Sequence, residues 1–457
     1  MNQDLACIAY PLPTDIQQLL DAGEFEWLTR LIDKRIADEK TPDALKRRLH
    51  ITKMMAAELP RAYPYPREKA FALLKERIPD ITAEEMDLLT DDRTLDWHFI
   101  QSKVHYRRNF ISNLLRTRPE YASREAGQKI LQEEIAESQK LDEIITQIRE
   151  KGKVHARFEM KELLRFKNCS LKPGEKVRVW LPLPIAEEPV LSCRLLSMSH
   201  PASYIAPESA LQRTVFFEVP YESGLEVSCT IAWENIAFDH IAHPQGTEKA
   251  GPIQADLEEC LPHIVFTPYL RALAKDIVGG ETRPLHIARK IYDFITTQCR
   301  YRFMPPYLTV SNLTENFLSN QRGDCGVQAL AFITLCRLCG IPARWQSGQY
   351  TAPFSIGMHD WARFYIPEYG WLFADCSFGG SGFRNGSSLR HDFYFGSLEP
   401  WRLPLARQFQ ARFDPPMHFL RYDPYDNQIG EAEAQSRRLF SDETEDDQIL
   451  LDYTLST

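Results

Sequence analysis

The sequence predicts an α+β protein: a helical N-terminal domain, a small antiparallel β-sandwich, and a mixed core of helices and short strands. Three observations carry that reading. Apolar residues recur at helical spacing through residues 13–150. The period changes to two at Val154, where Ala156, Phe158 and Met160 alternate with His155, Arg157 and Glu159. From Pro268 the helical period returns, then gives way to short alternating runs after Gly340. The expected bounds are 1–152, 153–245 and 260–415, with an acidic tail over 416–457.

In the first unit, Asp15 stands at the start of a helix through Ile16, Leu19 and Leu20. Thr41-Pro42-Asp43 opens another, with proline at its first position. Thr82 to Glu85 is a capping-box pattern ahead of Met86. Between Leu95 and Leu115, Phe99, Val104, Phe110, Ile111 and Leu114 fall near helical spacing, so a helix is expected there too. Glu125 to Glu150 is a long charged helix with Ile130, Leu141, Ile144 and Ile148 in its apolar stripe, ended by Gly152.

In the second unit, Val177, Val179, Leu181 and Leu183 alternate, as do Leu225, Val227, Cys229, Ile231 and Trp233. Pro173-Gly174 and Ser223-Gly224 supply turns. Residues 236–262 read as a linker. His240 and His243, beside Pro244, Gln245 and Gly246, have no third ligand nearby and read as a surface turn rather than a metal site.

In the third unit, Leu270, Leu273, Ala274 and Ile277 form a helical stripe ended by Gly279, and Pro284 opens the next helix. Cys325 follows a Gly323-Asp324 turn and precedes the apolar run Val327–Leu338, which stops at Gly340-Ile341-Pro342. That predicts a buried helix. A cysteine in its first turn faces the positive end of the dipole, which favours thiolate. Asp324 is expected to point outward or to cap the helix. His359 opens an alternating run, Pro367 to Gly370 is a turn, and Asp375 ends the strand that begins near Trp371. The paired strands would set His359 beside Asp375, giving Cys325, His359 and Asp375 as nucleophile, base and orienter. Beyond them, Gly379 to Gly382 and Asn385-Gly386 read as a flexible loop, and Phe393 to Phe395 as a returning strand. Cys336 and Cys339 read as small core residues.

Four sub-motifs stand in order: Gly323-x-Cys325, Gly340-Ile-Pro-Ala-Arg344, His359-x-Trp361 and Gly370-Trp371-x-x-x-Asp375. Together they resemble the transglutaminase-like superfamily, the papain-like group that holds transglutaminases, bacterial cysteine-protease-like proteins and peptide N-glycanases. The resemblance runs from Pro268 to Trp401. It implies a papain/transglutaminase-like catalytic core performing thiol-dependent acyl transfer or amide hydrolysis through a thioester, with a protein or peptide as substrate. It also implies an oxyanion-hole side chain upstream of the cysteine, for which Gln298, Tyr301 and Gln321 are candidates. Arg344 is expected to be structural. Trp361 is expected on the same strand face as His359, shielding the ion pair from water. Neither a calcium loop nor a paired-cysteine zinc motif is legible, so no metal and no cofactor are expected. The alternative is a catalytically inert relative acting as a peptide-binding or scaffold module.

Composition narrows the partners. The net charge of −9 argues against nucleic acid and anionic membrane surfaces. No apolar stretch approaches the ~20 residues that a bilayer span needs. The stretch up to Asp15 lacks the basic start and apolar core of an export signal. The ten cysteines show no disulfide framework, so a reducing cytoplasm is expected.

Overall fold

The computed structural model describes residues 5–244, 250–421, 423–440 and 442–456. Gln245 and Gly246 of the expected linker lie outside these residues. The fold is α+β, with several antiparallel sheets.

The N-terminal region holds α1 (Thr14–Asp21), α2 (Phe25–Ala37), α3 (Asp43–Ala62), α4 (Arg67–Arg77), α5 (Ala83–Asp91), α6 (Phe110–Thr117), α7 (Pro119–Ala122) and α8 (Lys129–Lys151). The capping box forms at α5, where Thr82 accepts from the Glu85 N–H and Glu85 accepts from the Thr82 N–H. The helix expected from Leu95 does not form in its first half. A small sheet stands there instead, of order β1-β3-β2, from β1 (Tyr65–Pro66), β2 (Trp97–Ile100) and β3 (Lys103–Tyr106). Trp97 faces Tyr106 and Phe99 faces Val104 across it, and such aromatic and β-branched pairs favour a pleated ladder. Gln101 and Ser102 make the turn at positive φ, and their N–H groups bond the Gly23 and Ala22 carbonyls. Gly23 permits this approach, because a Cβ there would overlap the Phe99 carbonyl oxygen.

The sandwich strands are β4 (Lys153–Phe166), β5 (Lys176–Pro182), β6 (Val190–Met198), β7 (Tyr204–Ile205), β8 (Thr214–Pro220) and β9 (Glu226–Phe238). His240, just beyond β9, is not on the surface as expected. It is buried between Phe238 and Phe373, 3.5 Å from Glu188 Oε1.

In the core, α9 (Pro268–Val278) and α10 (Pro284–Gln298) lead to β10 (Arg300–Tyr301), α11 (Leu313–Asn320), β11 (Arg322–Gly323) and α12 (Cys325–Leu338). α12 is buried from Gly326 through Cys336. It packs on an antiparallel sheet of order β15-β14-β13-β12-β16, made from β12 (Ala343–Ala352), β13 (Ser355–Ile366), β14 (Gly370–Ala374), β15 (Phe395–Gly396) and β16 (Arg402–Ala406). Phe332 of α12 meets Phe364 of β13 edge-on, with centroids 5.3 Å apart. The sheet's other face meets the sandwich side, where Gln346 Nε2 donates to Glu187 at 2.8 Å and Arg363 stands 3.5 Å from Glu188. The segment after Asp375 is not a flexible loop. It forms α13 (Cys376–Arg384) and α14 (Ser388–Phe393). Its glycines serve packing: a Cβ at Gly379 would overlap the Tyr292 hydroxyl, and one at Gly382 would press on the His391 backbone.

The segment expected as an acidic tail over 416–457 forms two strands. β17 (Glu431–Ala434) pairs with β5, and β18 (Thr444–Ser456) pairs with β4 along nearly all of its length. The sandwich sheets therefore run β17-β5-β8-β7 and β18-β4-β9-β6. The acidic run is ordered because cations meet it. Lys167 and Arg165 lie against Glu445 and Asp447, and Arg61 lies 2.6 Å from Asp442. Behind the charges, Leu450, Tyr453 and Leu455 pack on the main core.

Candidate active site

The first turn of α12 is fixed by its neighbours. β11 pairs in parallel with β10, which sets Gly323 opposite Tyr301. Asp324 caps the helix: its carboxylate accepts from the Val327 N–H at 3.3 Å, from the Met304 N–H at 3.1 Å and from the Tyr307 hydroxyl. The capping alternative thus holds, with the side chain turned inward. Cys325 follows, partly exposed. Its Sγ lies 3.6 Å from Asp360 Oδ2. Gly326 has no room for a side chain, since a Cβ would run into the Tyr307 hydroxyl and the Asp360 carboxyl.

The β13–β14 hairpin carries the other two groups. His359 lies on β13 opposite Gly348 of β12, and Asp375 directly follows β14. His359 Nε2 is 2.7 Å from Asp375 Oδ2, and both residues are buried. Nε2 therefore carries the ring proton and donates it to the carboxylate, which leaves Nδ1 as the basic nitrogen. Among the described residues Nδ1 has no hydrogen-bond partner, and no hydrogen bond joins it to Cys325. Asp375 Oδ1 accepts from the Phe378 N–H at 2.9 Å, so the same carboxylate caps α13. Arg402 Nη1 stands 2.8 Å from Asp375 Oδ2, and Arg402 Nε donates to Glu399 at 2.5 Å.

These contacts set the charges. Burial pushes the Asp375 carboxyl up, but His359, Arg402 and the Phe378 N–H outweigh it and hold the group at about 2. Burial, aided by Arg402, keeps His359 below its ordinary value despite Asp375. Burial pushes the Cys325 thiol well up, reinforced by the Asp360 and Asp324 carboxyls and only partly offset by the Asp360 backbone N–H. Both shifts run against the thiolate expected from the helix dipole: desolvation and two nearby acids oppose charge on the sulfur, and desolvation opposes it on the imidazole.

Residues 271–376, which contain α12 and the hairpin, match the family profile of the transglutaminase-like superfamily. The segment is a transglutaminase-like core. Among solved structures, a protein described as a candidate cysteine protease, from Cytophaga hutchinsonii, aligns over 66% of this chain and 91% of its own, at 14% identity and TM-score 0.41. The periplasmic domain of TgpA from Pseudomonas aeruginosa aligns over 55% and 96%, at 15% identity and TM-score 0.28. A candidate protease from Parabacteroides distasonis aligns over 52% and 47%, at 11% identity and TM-score 0.22. No curated protein matches the chain by sequence.

The remaining candidates take different places in the transglutaminase-like core. Tyr301 is partly buried beside the Cys325 turn, and its hydroxyl has no hydrogen-bond partner among the described residues. Gln321 caps α11 at positive φ; its carbonyl accepts from the Arg300 N–H while its residue is exposed. Gln298 is exposed and bonds Thr297. Trp361 is fully buried, with its ring 6.0 Å from that of His359 and its N–H committed to Gln346 at 2.7 Å. It packs against His359, and its one donor is taken. Arg344 stacks on Trp371 at 3.9 Å. Three residues of the site were missed. Asp360 was within the His359-x-Trp361 motif, and strand alternation would have turned it toward α12. Arg402 and Gln428 reach the site from later segments, and nothing local marks them.

Proposed function

We propose that the chain is a thiol-dependent amidase or acyltransferase of the transglutaminase-like kind, with Cys325 as nucleophile, His359 as base and Asp375 as orienter. The observation that carries the reading is the buried His359–Asp375 bond, which leaves Nδ1 as the basic nitrogen, on the strand β13 that packs against the helix opening at Cys325. Nδ1 takes the Cys325 proton as sulfur attacks an amide carbonyl carbon. The C–N bond then breaks, the amine leaves with the proton from Nδ1, and a thioester remains. Water resolves it to an acid, whereas a second amine resolves it to a new amide. Unpaired N–H groups at the start of α12 and the Tyr301 hydroxyl are the donors for the oxyanion. The substrate is a protein or peptide, and no cofactor enters any step. All ten cysteines are free, which favours a reducing cytoplasm. Among the described residues, no helix is long and apolar enough to cross a membrane.

A second reading has its own support: the Cys325 sulfhydryl faces Asp360 rather than His359. On that reading the core is inert and binds peptides. One experiment separates the two. Wild type and Cys325→Ala are incubated with a diverse peptide library, with and without a primary amine, and products are read by mass spectrometry. Cleavage, deamidation or cross-linking that vanishes in Cys325→Ala supports the enzyme. Identical spectra from both proteins leave only the binding module.

A further inference from the structure

The Cys325 S–H meets an acceptor that the proposed mechanism does not use. The sulfur lies 3.6 Å from Asp360 Oδ2. The next residue back along β13 is His359, whose Nδ1 is unpartnered among the described residues. Asp360 is not free to swing away. Its Oδ1 accepts from Gln428 Nε2 at 2.7 Å, and the same amide donates to the His359 carbonyl at 3.1 Å. Gln428 is fixed in turn: its carbonyl accepts from Gln349 of β12 at 2.9 Å. Gln428 belongs to the segment leading into β17, beyond the matched residues 271–376. A side chain from outside that core therefore ties the carboxyl beside the nucleophile to the backbone of the base.

We propose that Asp360 is a positioning residue: held by Gln428, its carboxyl parks the Cys325 S–H in a resting orientation that the thiol must leave to engage His359 Nδ1. The inference rests on the reading of Cys325 as nucleophile. Burial and the Asp324 and Asp423 carboxyls push the Asp360 carboxyl well up, and burial with the same kind of acid neighbours pushes the Cys325 thiol well up too. The carboxyl begins about four to five pH units more acidic than a thiol, and at 3.6 Å the S–H donates to it. The surroundings reinforce the parked state. Asp324 faces the pair from the α12 cap and Asp375 from beyond β14, while Asp423 and Asp426 approach Asp360 from the C-terminal segment. Tyr301 of β10 and Tyr307 stand on the remaining side. The cations behind these acids are held by other carboxylates, Arg402 by Asp375 and Glu399, Arg421 by Glu431 and Arg107 by Asp96, and none of them bonds the sulfur.

The test is the rate of iodoacetamide alkylation at Cys325 against pH, followed by mass spectrometry of the Cys325 peptide because nine other thiols are present. Asp360→Asn keeps an acceptor for Gln428 and removes the charge. It should raise the rate at pH 7 about tenfold, equivalent to lowering the midpoint by about one pH unit. Gln428→Leu should act in the same direction by about threefold, and it carries the test if Asp360→Asn does not fold. Adding His359→Ala to Asp360→Asn should cancel the gain, since the freed thiol then has no base. An unchanged or raised midpoint in a folded Asp360→Asn protein overturns the proposal, as does a gain retained in full without His359. Failure of the catalytic reading shows separately, as a peptide library left unprocessed by wild type while the alkylation profile still responds to Asp360.

Discussion

Asp375 Oδ2 is shared between His359 Nε2 at 2.7 Å and Arg402 Nη1 at 2.8 Å, so one carboxylate oxygen serves a buried imidazole and a buried arginine together. Asp375→Asn removes a charge from both. In a serine triad the equivalent change costs about 10⁴ in kcat. Here a fall on the order of 10–10³ is expected, because a thiol is more acidic and more nucleophilic than a hydroxyl and needs less help from its base. The shape is conserved, which alone would leave folding untouched. Arg402 changes that, although it keeps Glu399, so a loss of about 1–2 kcal/mol is expected. Peptide turnover and urea denaturation of the variant measure the two effects. Full activity with lowered stability would reduce Asp375 to a structural residue.

The depressed Asp375 group has a pH signature. Its folded value of about 2 lies below that of an unfolded carboxyl. The stability it contributes is therefore present above about pH 4 and is lost as pH falls toward 2. The wild type should lose about 2 kcal/mol more than Asp375→Asn between pH 5 and pH 2, measured by urea midpoints at each pH. Parallel acid profiles for the two proteins would contradict the assignment.

Arg402 is the reverse experiment. It is fully buried, paired with Asp375 and Glu399, and its guanidinium lies 4.3 Å from the Phe378 ring centroid. Arg402→Met leaves two buried carboxylates near each other with no cation. A loss of about 3–5 kcal/mol is expected, because removing one partner strands the other charges. If the fold survives, His359 should hold its proton to higher pH, visible in the imidazole NMR titration.

Buried imidazoles add an acid sensitivity in a separate window. His263 is fully buried; it accepts the Leu313 N–H at Nδ1 and donates from Nε2 to Tyr425. Burial pushes His263 and His240 down to about 3. A base with a lowered folded value stabilises the protein above its unfolded value near 6.5, and that stability is lost as pH falls toward 3. Each should cost about 2 kcal/mol between pH 7 and pH 5. His263→Gln should flatten its share of the decline in urea midpoints, and an unaltered slope would show that His263 is not the titrating group.

The sequence made α12 and the β13–β14 hairpin legible because their ends are punctuated: Gly340 and Pro342 stop the helix, and Pro367 to Gly370 turns the hairpin. The β2–β3 turn was hidden because Gln101 and Ser102 take positive φ without glycine or asparagine. α13 was hidden by Gly379, Gly380 and Gly382, which break helical propensity yet fit tight contacts with Tyr292 and His391. Of the site, Cys325, His359 and Asp375 stood out by motif. Asp360 was overshadowed by its neighbour, and Arg402 and Gln428 depend on pairings far apart in sequence. Long-range pairing also hid β18, whose acidic residues are neutralised by cations that only the fold brings near.

That last strand yields the final prediction. β18 covers the outer edge of β4 from Phe166 to His155. Tyr453 lies 5.2 Å from the Phe158 ring and accepts the Trp401 N–H at 2.9 Å. Trp401 directly precedes Arg402, so the strand braces the segment that carries the arginine behind Asp375. Ending the chain after Asp442 should lower the melting temperature sharply and open β4 to proteolysis, because an edge of backbone groups and apolar side chains is exposed. Tyr453→Phe removes only the hydroxyl and should cost about 1 kcal/mol. It should also loosen Arg402, seen as a modest fall in turnover beyond the stability loss. A truncated protein that melts like the full chain would mean that the final strand is dispensable, as a disordered acidic tail would be.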